Sequence, residues 1–265
     1  MKVVILCGGQ GTRLREETEF KPKPMVMVGD RPILWHIMKM FGCAGLKDFV
    51  LCLGYKGEMI KEYFLNYQAM ISDCTLTLGS HKEIEVHGSH GEEDFRVTLA
   101  HTGISAMTGS RVKQIELYID DDSFCVTYGD GLHDIDIAKV LAFHRAHGKI
   151  GTVVSVRPQS RYGVLEIDDK HTVKNFAEKP QTEGWVSTGF FVFNKKFFTY
   201  LSADPECMME DTPLKKLAKD GQLQAFQHEG FFYPMDTYRE ALKLNELWDS
   251  GHAPWATWLS SVQKS

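Results

Sequence analysis

The chain has 265 residues, 43% of them hydrophobic and 25% charged, enough to bury one large α/β core, and α/β folds of this length commonly form a single domain. A formal net charge of −5 argues against general nucleic-acid binding, which rests on a basic face, and no apolar run approaches the length that spans a bilayer. The amino terminus runs into the first apolar stretch with a single lysine and no small-residue cleavage pattern, so a cytoplasmic protein without a membrane or nucleic-acid partner is expected.

The run Val3 to Cys7 breaks into Gly8-Gly9-Gln10-Gly11-Thr12-Arg13-Leu14, which reads as a buried parallel strand feeding a glycine turn. Glycines let backbone N–H groups face an anion with no Cβ in the way, so the turn is a candidate phosphate cradle. Two cations follow it: Arg13 in the loop and Lys23 between Pro22 and Pro24, expected to sit on stiffened, extended backbone. A P-loop is excluded, because Thr12-Arg13 stands where lysine and a hydroxyl residue belong. A dinucleotide fingerprint also fails, with Leu14 in place of the third glycine, although Asp30 lies near the expected acidic position. A bare strand-to-helix turn would leave Arg13 and Lys23 without a role.

Asp30 is a candidate cap for a helix that presents Ile33, Leu34, Ile37, Met38 and Phe41 on one face and ends at Gly42 and Gly45. Phe49 to Leu53 is the next strand, and Gly57 opens a helix with Ile60, Tyr63, Phe64 and Tyr67 on its inner stripe. Residues 74–101 change character: Thr75 to Leu78, Ile84 to Val86 and Arg96 to Ala100 alternate like antiparallel strands, an inserted hairpin or edge sheet. Alternation then resumes with a helix near 109–119, a strand at 123–128, a helix at 136–147 and a strand at 150–156. The expected core is α/β and doubly wound, with a mostly parallel mixed sheet.

The strand ending at Tyr128 runs into Gly129-Asp130-Gly131, placing a carboxylate at the carboxyl edge of a central strand, where ligands of open α/β sheets collect. Magnesium takes one or two carboxylates plus phosphate oxygens and water, and Asp236, in Pro234-Met235-Asp236-Thr237, is the candidate second donor. Its other reading is the N-cap of the helix carrying Tyr238, Leu242 and Leu244. Glu178-Lys179-Pro180 is a second anion-site candidate or a surface ion pair, with Lys179 expected in extended geometry before Pro180. Six cysteines, at 7, 43, 52, 74, 125 and 207, lack a C-x-x-C pair and read as small buried hydrophobes in a reducing compartment. His81, His87 and His90, and His144 with His147, lack the partners of a zinc set, and Asp120-Asp121-Asp122 reads as a solvated turn. Trp248, Trp255 and Trp258 in the tail either cover the core or make a subunit contact, with core cover preferred.

Leu6-Cys7-Gly8-Gly9-Gln10-Gly11-Thr12-Arg13-Leu14 followed by Lys21-Pro22-Lys23-Pro24-Met25 resembles the signature of sugar-1-phosphate nucleotidyltransferases. Arg31-Pro32-Ile33-Leu34-Trp35-His36-Ile37-Met38-Lys39, Gly54-Tyr55-Lys56-Gly57, Tyr128-Gly129-Asp130-Gly131 and Pro234-Met235-Asp236-Thr237 look like the glucose-1-phosphate cytidylyltransferases within it. The resemblance implies a Rossmann-like fold over residues 1–265, with a nucleotide part to about residue 130, a sugar-phosphate part to about 240 and a helical tail. It implies CTP and α-D-glucose 1-phosphate as substrates, Mg²⁺ on Asp130 and Asp236, and a homo-oligomer. Leu6, Gly8, Gly9, Gln10, Gly11, Thr12, Arg13, Lys23, Arg111 and Gly129 fall to the nucleotide by this resemblance. Gly163, Glu178, Lys179, Thr188 and Asp236 fall to the sugar phosphate, and Arg13, Lys23, Asp130 and Asp236 to catalysis. Two departures stand out: Ser187-Thr188-Gly189 where relatives carry Asn-Gly-Gly, and Ala106 where they carry a hydroxyl residue. An asparagine amide offers both donor and acceptor, and threonine one hydroxyl on a shorter arm. The alternatives are a relative using dTTP, UTP or another sugar 1-phosphate, and a non-catalytic nucleotide-sugar-binding regulator.

Overall fold

In the computed structural model, which describes residues 1–78, 83–88, 92, 94–160 and 162–262, the first apolar run is strand β1 (Lys2–Cys7), buried on both faces. A short helix α1 (Arg15–Thr18) and a 3-10 turn at Lys23–Met25 follow, then strands β2 (Met27–Val28) and β3 (Arg31–Pro32) pair around Gly29. Gly29 has φ of +63°, and a Cβ there would lie 2.1 Å from the Trp248 indole nitrogen. This small hairpin holds the chain extended as far as Pro32, so helix α2 (Ile33–Cys43) starts from Pro32. Asp30 stays outside on the turn beside Arg31 and does not cap the helix, contrary to the spacing-based expectation. The buried stripe of α2 is the expected one.

Strand β4 (Asp48–Leu53) and helices α3 (Gly57–Leu65) and α4 (Tyr67–Ile71) come next. Strands β5 (Asp73–Thr77) and β6 (Glu83–His87) form the expected antiparallel hairpin, whereas β7 (Arg96–His101) joins the main sheet parallel to β4. It alternates in sequence because it is the edge strand, half covered on its faces. Further along lie α5 (Thr108–Gln114), β8 (Ser123–Tyr128), β9 (Gly131–His133), α6 (Ile137–His147) and β10 (Gly151–Val156). The hairpin β11 (Val164–Ile167) and β12 (Val173–Ala177) precedes β13 (Val186–Asn194), α7 (Thr212–Lys219), β14 (Leu223–His228), β15 (Phe232–Pro234), α8 (Tyr238–Asp249) and α9 (Thr257–Val262).

Seven strands form the main sheet in the order β14-β10-β13-β8-β1-β4-β7, and β13 alone runs antiparallel to its neighbours. The fold is therefore α/β with a large, mostly parallel central sheet. Alternate residues of β1 face opposite layers: Val3, Ile5 and Cys7 join α2 and the tail, while Val4 joins Phe124, Phe193, Phe197 and Leu217. Cys7, Cys52 and Cys125 are buried and all six cysteines are free, with burial pushing the Cys52 and Cys125 thiols up to about 12. The expected tail cover is also present. Trp255 is fully buried, stacks on Phe231 and donates from Nε1 to His36 Nδ1 at 3.2 Å.

His144 and His147 both bond Thr152 Oγ1, at 2.8 and 2.7 Å, so they fasten α6 to β10. His87 bonds Thr75 across its hairpin, and His81 and His90 lie outside the described residues. Burial pushes His36 down to about 4 and His133 down to about 3, the nearby His228 adding to the second. Both stay neutral in the folded chain and take up protons on unfolding. Their folded pKa values lie below the unfolded value of about 6.5, so the stability they contribute above that pH is lost as pH falls toward 4. Between neutral pH and pH 4 each accounts for roughly 3 kcal/mol. The expected result is a urea midpoint that drops steadily from pH 7 to pH 4; a midpoint unchanged over that range would exclude this account.

Candidate active site

The glycine turn leaves β1 at the carboxyl edge of the sheet, between β8 and β4. Gly11 has φ of +63°, and its carbonyl accepts from Thr18 Oγ1 at 3.0 Å, closing the turn. Gly9, Gln10, Thr12 and Arg13 are exposed along the loop, while Leu14 is buried beneath it. A Cβ at Gly8 would lie 2.2 Å from the guanidinium carbon of Arg111, so the two residue types are matched. Arg111 comes from α5 and is 4% exposed. It donates to Gly8 O (3.0 Å), Leu53 O (3.2 Å), Thr102 Oγ1 (2.7 Å), Gly103 O (2.7 Å) and Ile104 O (3.3 Å). Expected at the nucleotide, it is instead turned under the loop and ties together the chain leaving β1, β4 and β7. Arg111→Met withdraws the donor that these acceptors share, at a cost of about 3 kcal/mol. The expected drop in Tm is roughly 6–12 °C, checked by calorimetry, and a Tm within a degree of the parent would remove that scaffold role.

Lys23 opens the 3-10 turn Lys23–Met25, closed by Met25 N to Pro22 O at 2.8 Å, so its backbone belongs to a tight turn and is not extended as expected before Pro24. Gly129 lets that turn come close: a Cβ there would meet Pro24 Cγ at 2.9 Å and Leu6 O at 3.0 Å. Lys23 Nζ then lies 2.5 Å from Asp130 Oδ2 and 2.7 Å from Asp236 Oδ1, and Arg13 Nη1 lies 2.9 Å from the other oxygen of Asp236. Asp130 and Asp236 are far apart in sequence and meet because β9 pairs with β15, Gly131 opposite Pro234, and Met235 N donates to Asp130 O at 2.8 Å. The N-cap of α8 is Thr237, in a capping box with Glu240, so the Asp236 carboxylate faces the cations instead of capping. Burial disfavours the Lys23 charge, but Asp130 and then Asp236 outweigh it, and the ammonium pKa stands above the ordinary lysine value.

Two carboxylates that converge on one ammonium form a hard oxygen pair within reach of a single cation. That donor set fits Mg²⁺, which takes one or two carboxylates and completes its shell with phosphate oxygens and water. Among the described residues no group of three or more His, Cys, Asp or Glu forms a fuller cage.

Beside this cluster a cavity of about 1000 Å³ is lined by Arg13, Tyr128, Asp130, Thr188 and Asp236, among others. Thr188 donates from Oγ1 to Val154 O at 3.1 Å, so its hydroxyl points into the sheet and not, as expected, toward a sugar. Gly163, Glu178 and Lys179 are not in the cavity wall. Glu178 and Lys179 face each other at 3.4 Å on exposed ground, and Gly163 packs on the Phe176 ring. Lys179 has φ of +47°, against the extended geometry expected before Pro180. Bonds from Ser160 N to Pro180 O (2.8 Å) and from Thr182 N to Pro158 O (2.9 Å) close a bend there and override the local preference.

Tyr128, Glu210, Arg157 and Glu229 were not predicted as site residues. The Tyr128 hydroxyl donates to Glu210, which also accepts from Thr108 Oγ1 at 2.5 Å, and the Tyr128 ring lies on Gly189, where a Cβ would be only 2.2 Å away. Tyr128, Arg157 and Glu229 each end or directly follow a strand at the carboxyl edge, and that position is the signal that marks them.

The chain matches the model of the family described as nucleotidyl transferase over residues 2–255. It is 48% identical over 260 residues to a glucose-1-phosphate cytidylyltransferase of Salmonella typhi, covering 97% of this chain and 100% of the relative. Against a probable glucose-1-phosphate cytidylyltransferase of Bacillus subtilis (strain 168) the identity is 43% over 258 residues, 97% of this chain and 100% of the relative. The crystal structure of HddC from Yersinia pseudotuberculosis superposes with a TM-score of 0.67 at 24% identity, over 93% of this chain and 99% of that one, a likeness of fold.

Proposed function

The chain belongs to the nucleotidyl transferase family, and on that premise we propose that it transfers a cytidylyl group from CTP to α-D-glucose 1-phosphate, giving CDP-glucose and pyrophosphate. The observation that carries the reading is the meeting of Arg13 and Lys23 with Asp130 and Asp236 where the glycine loop opens onto the cavity. In this reading residues 1–130 hold the nucleotide and residues 131–240 the sugar phosphate, with the tail closing the core.

A phosphate oxygen of the sugar phosphate attacks the α-phosphorus of CTP; the new O–P bond forms as the bond to pyrophosphate breaks in line. The attacking group is ionised near neutral pH, so no protein nucleophile or general base is needed, and repulsion between two polyanions is the barrier to lower. Glycine-loop N–H groups cradle the triphosphate, Arg13 balances charge growing on the leaving pyrophosphate, and Lys23 holds the α-phosphate. Lys179 and Glu178, which stand just before the cavity-lining Gln181, serve the sugar phosphate in this reading. Asp130 and Asp236 would hold Mg²⁺, which when bound supplies positive charge to the phosphate oxygens.

We also assign the protein to the cytoplasm and to a homo-oligomer. Among the described residues no helix is long and apolar enough to cross a membrane. The β5–β6 hairpin exposes the cross-strand pair Leu76 and Ile84, apolar surface of the kind a second copy covers. Light scattering on the purified chain checks this, and a monomer at micromolar concentration would refute it.

The function is tested by pyrophosphate release with Mg²⁺, offering CTP, UTP, dTTP, ATP and GTP with glucose 1-phosphate and then other hexose 1-phosphates. A clear preference for CTP with glucose 1-phosphate is expected. The inward Thr188 hydroxyl favours one second reading, a different hexose 1-phosphate, which the same panel separates: CTP turnover with another hexose in place of glucose would support it.

A further inference from the structure

We infer that Arg157 and Glu229 form a paired donor and acceptor that selects the sugar, recognising hydroxyl groups of a hexose 1-phosphate that carries no second charge. The inference rests on the cytidylyltransferase reading and adds to it the residues that read the sugar. Both side chains line the same cavity as Arg13, Asp130 and Asp236. Arg157 directly follows β10 and Glu229 directly follows β14, and the two strands pair in parallel with Val156 opposite His228. That register sets the two residues side by side at the carboxyl edge, with Arg157 Nη2 3.0 Å from Glu229 Oε1.

Their place along that edge suits the sugar end of the substrate. The order β10-β13-β8 puts Arg157 two strands from Asp130, about 10 Å at ordinary strand spacing, with Thr188 of β13 between them. Phosphate chemistry sits at β1 and β8, so a hexose held by its 1-phosphate there would extend toward β10 and β14. Thr188, the residue between, has its hydroxyl committed to Val154 O and leaves that stretch of wall without a side-chain donor from this position.

The arginine of the pair is held in place. The Arg157 guanidinium lies over the Trp185 ring, 5.2 Å from its centroid, which fixes its plane. Its Nε is buried and has no hydrogen-bond partner, so the group is held by packing and by Glu229. A guanidinium has five N–H donors and a carboxylate two acceptor oxygens, so each keeps capacity after bonding the other. Donor and acceptor side by side match vicinal hydroxyl groups, the recognition a side-chain amide would otherwise provide. The pair is electrically neutral overall and so offers no net charge to hold a second phosphate or a carboxylate on the sugar.

The test is steady-state pyrophosphate release with CTP, Mg²⁺ and glucose 1-phosphate or its 3-deoxy, 4-deoxy and 6-deoxy analogues, for the parent chain, Arg157→Met and Glu229→Ala. Methionine keeps an unbranched apolar stem against Trp185, and circular dichroism with Tm checks that both variants fold. Expected is a tenfold or greater rise in KM for glucose 1-phosphate in both variants, with KM for CTP within twofold of the parent. At least one deoxy analogue, poor for the parent, should become as good a substrate as glucose 1-phosphate for the variants. Sugar KM values within twofold of the parent, or a parallel rise in the CTP KM, would overturn the assignment while leaving the cytidylyltransferase reading intact. A parent chain that turns over no hexose 1-phosphate with CTP would instead take down that reading and this inference with it.

Discussion

Arg13→Ala is expected to lower turnover about a hundredfold or more while leaving the fold intact. The side chain is 74% exposed and its ion pair with Asp236, at 2.9 Å, is of the surface kind that contributes at most about 1 kcal/mol to stability. Its catalytic weight is set differently. In the proposed mechanism negative charge grows on the departing pyrophosphate, and Arg13, at the mouth of the glycine loop, would stabilise that charge more than it stabilises bound CTP. By comparison with a single oxyanion donor, its loss costs roughly 3 to 4 kcal/mol of transition-state stabilisation. The effect should fall on kcat and on kcat/KM alike, with Tm unchanged within about a degree. Near-normal turnover would remove Arg13 from the catalytic set, and a large fall in Tm would reassign it to the fold.

The first twenty-five residues are legible in sequence because their chemistry is local. A β-branched run stopped by glycines has few structural uses, and cations placed just beyond it have fewer. Asp130 is legible for a related reason, since it closely follows a strand at the edge where ligands gather. Other features depend on where distant segments meet. Arg157 and Glu229 are 72 residues apart and become a pair only through the parallel register of β10 and β14, which no local pattern contains. Arg111 is assigned to the nucleotide by resemblance, yet a long cation reads the same whether it faces a ligand or the back of the loop. The bare Cα of Gly8 against its guanidinium settles which face it takes in this structure. At Lys179 a valid local rule is outvoted: the bias before proline is a weak preference, and two backbone hydrogen bonds to the neighbouring segment close the bend that overrides it. Asp30 and Asp236 each had a plausible capping role, and in both cases the chain starts its helix from another residue, Pro32 or Thr237.

Lys23→Met is expected to have the other large effect, and to show it in stability as well as turnover. The ammonium stands between Asp130 and Asp236 at 2.5 and 2.7 Å, with its side chain 12% exposed and theirs 25% and 17%. In the proposed mechanism Lys23 holds the α-phosphate, so on that reading turnover should fall at least a hundredfold. Removing the side chain also leaves two carboxylates facing each other without the ammonium between them, at a cost of about 3 kcal/mol at neutral pH. The sign of the pH dependence follows. In the parent chain the raised Lys23 pKa means that its contribution is fully present below the unfolded lysine value of about 10.4 and is lost only as pH rises through the higher folded value. In the variant, crowding of like charges favours a protonated carboxyl in the folded chain, so the deficit relative to the parent should shrink as pH falls toward 4. A divalent cation can take the place of the missing ammonium, and millimolar Mg²⁺ alone should therefore raise the Tm of Lys23→Met by more than it raises that of the parent. Equal responses to Mg²⁺ in the two proteins would mean that Asp130 and Asp236 do not hold the metal, while a deficit that grows in acid would mean that the ammonium does not balance them.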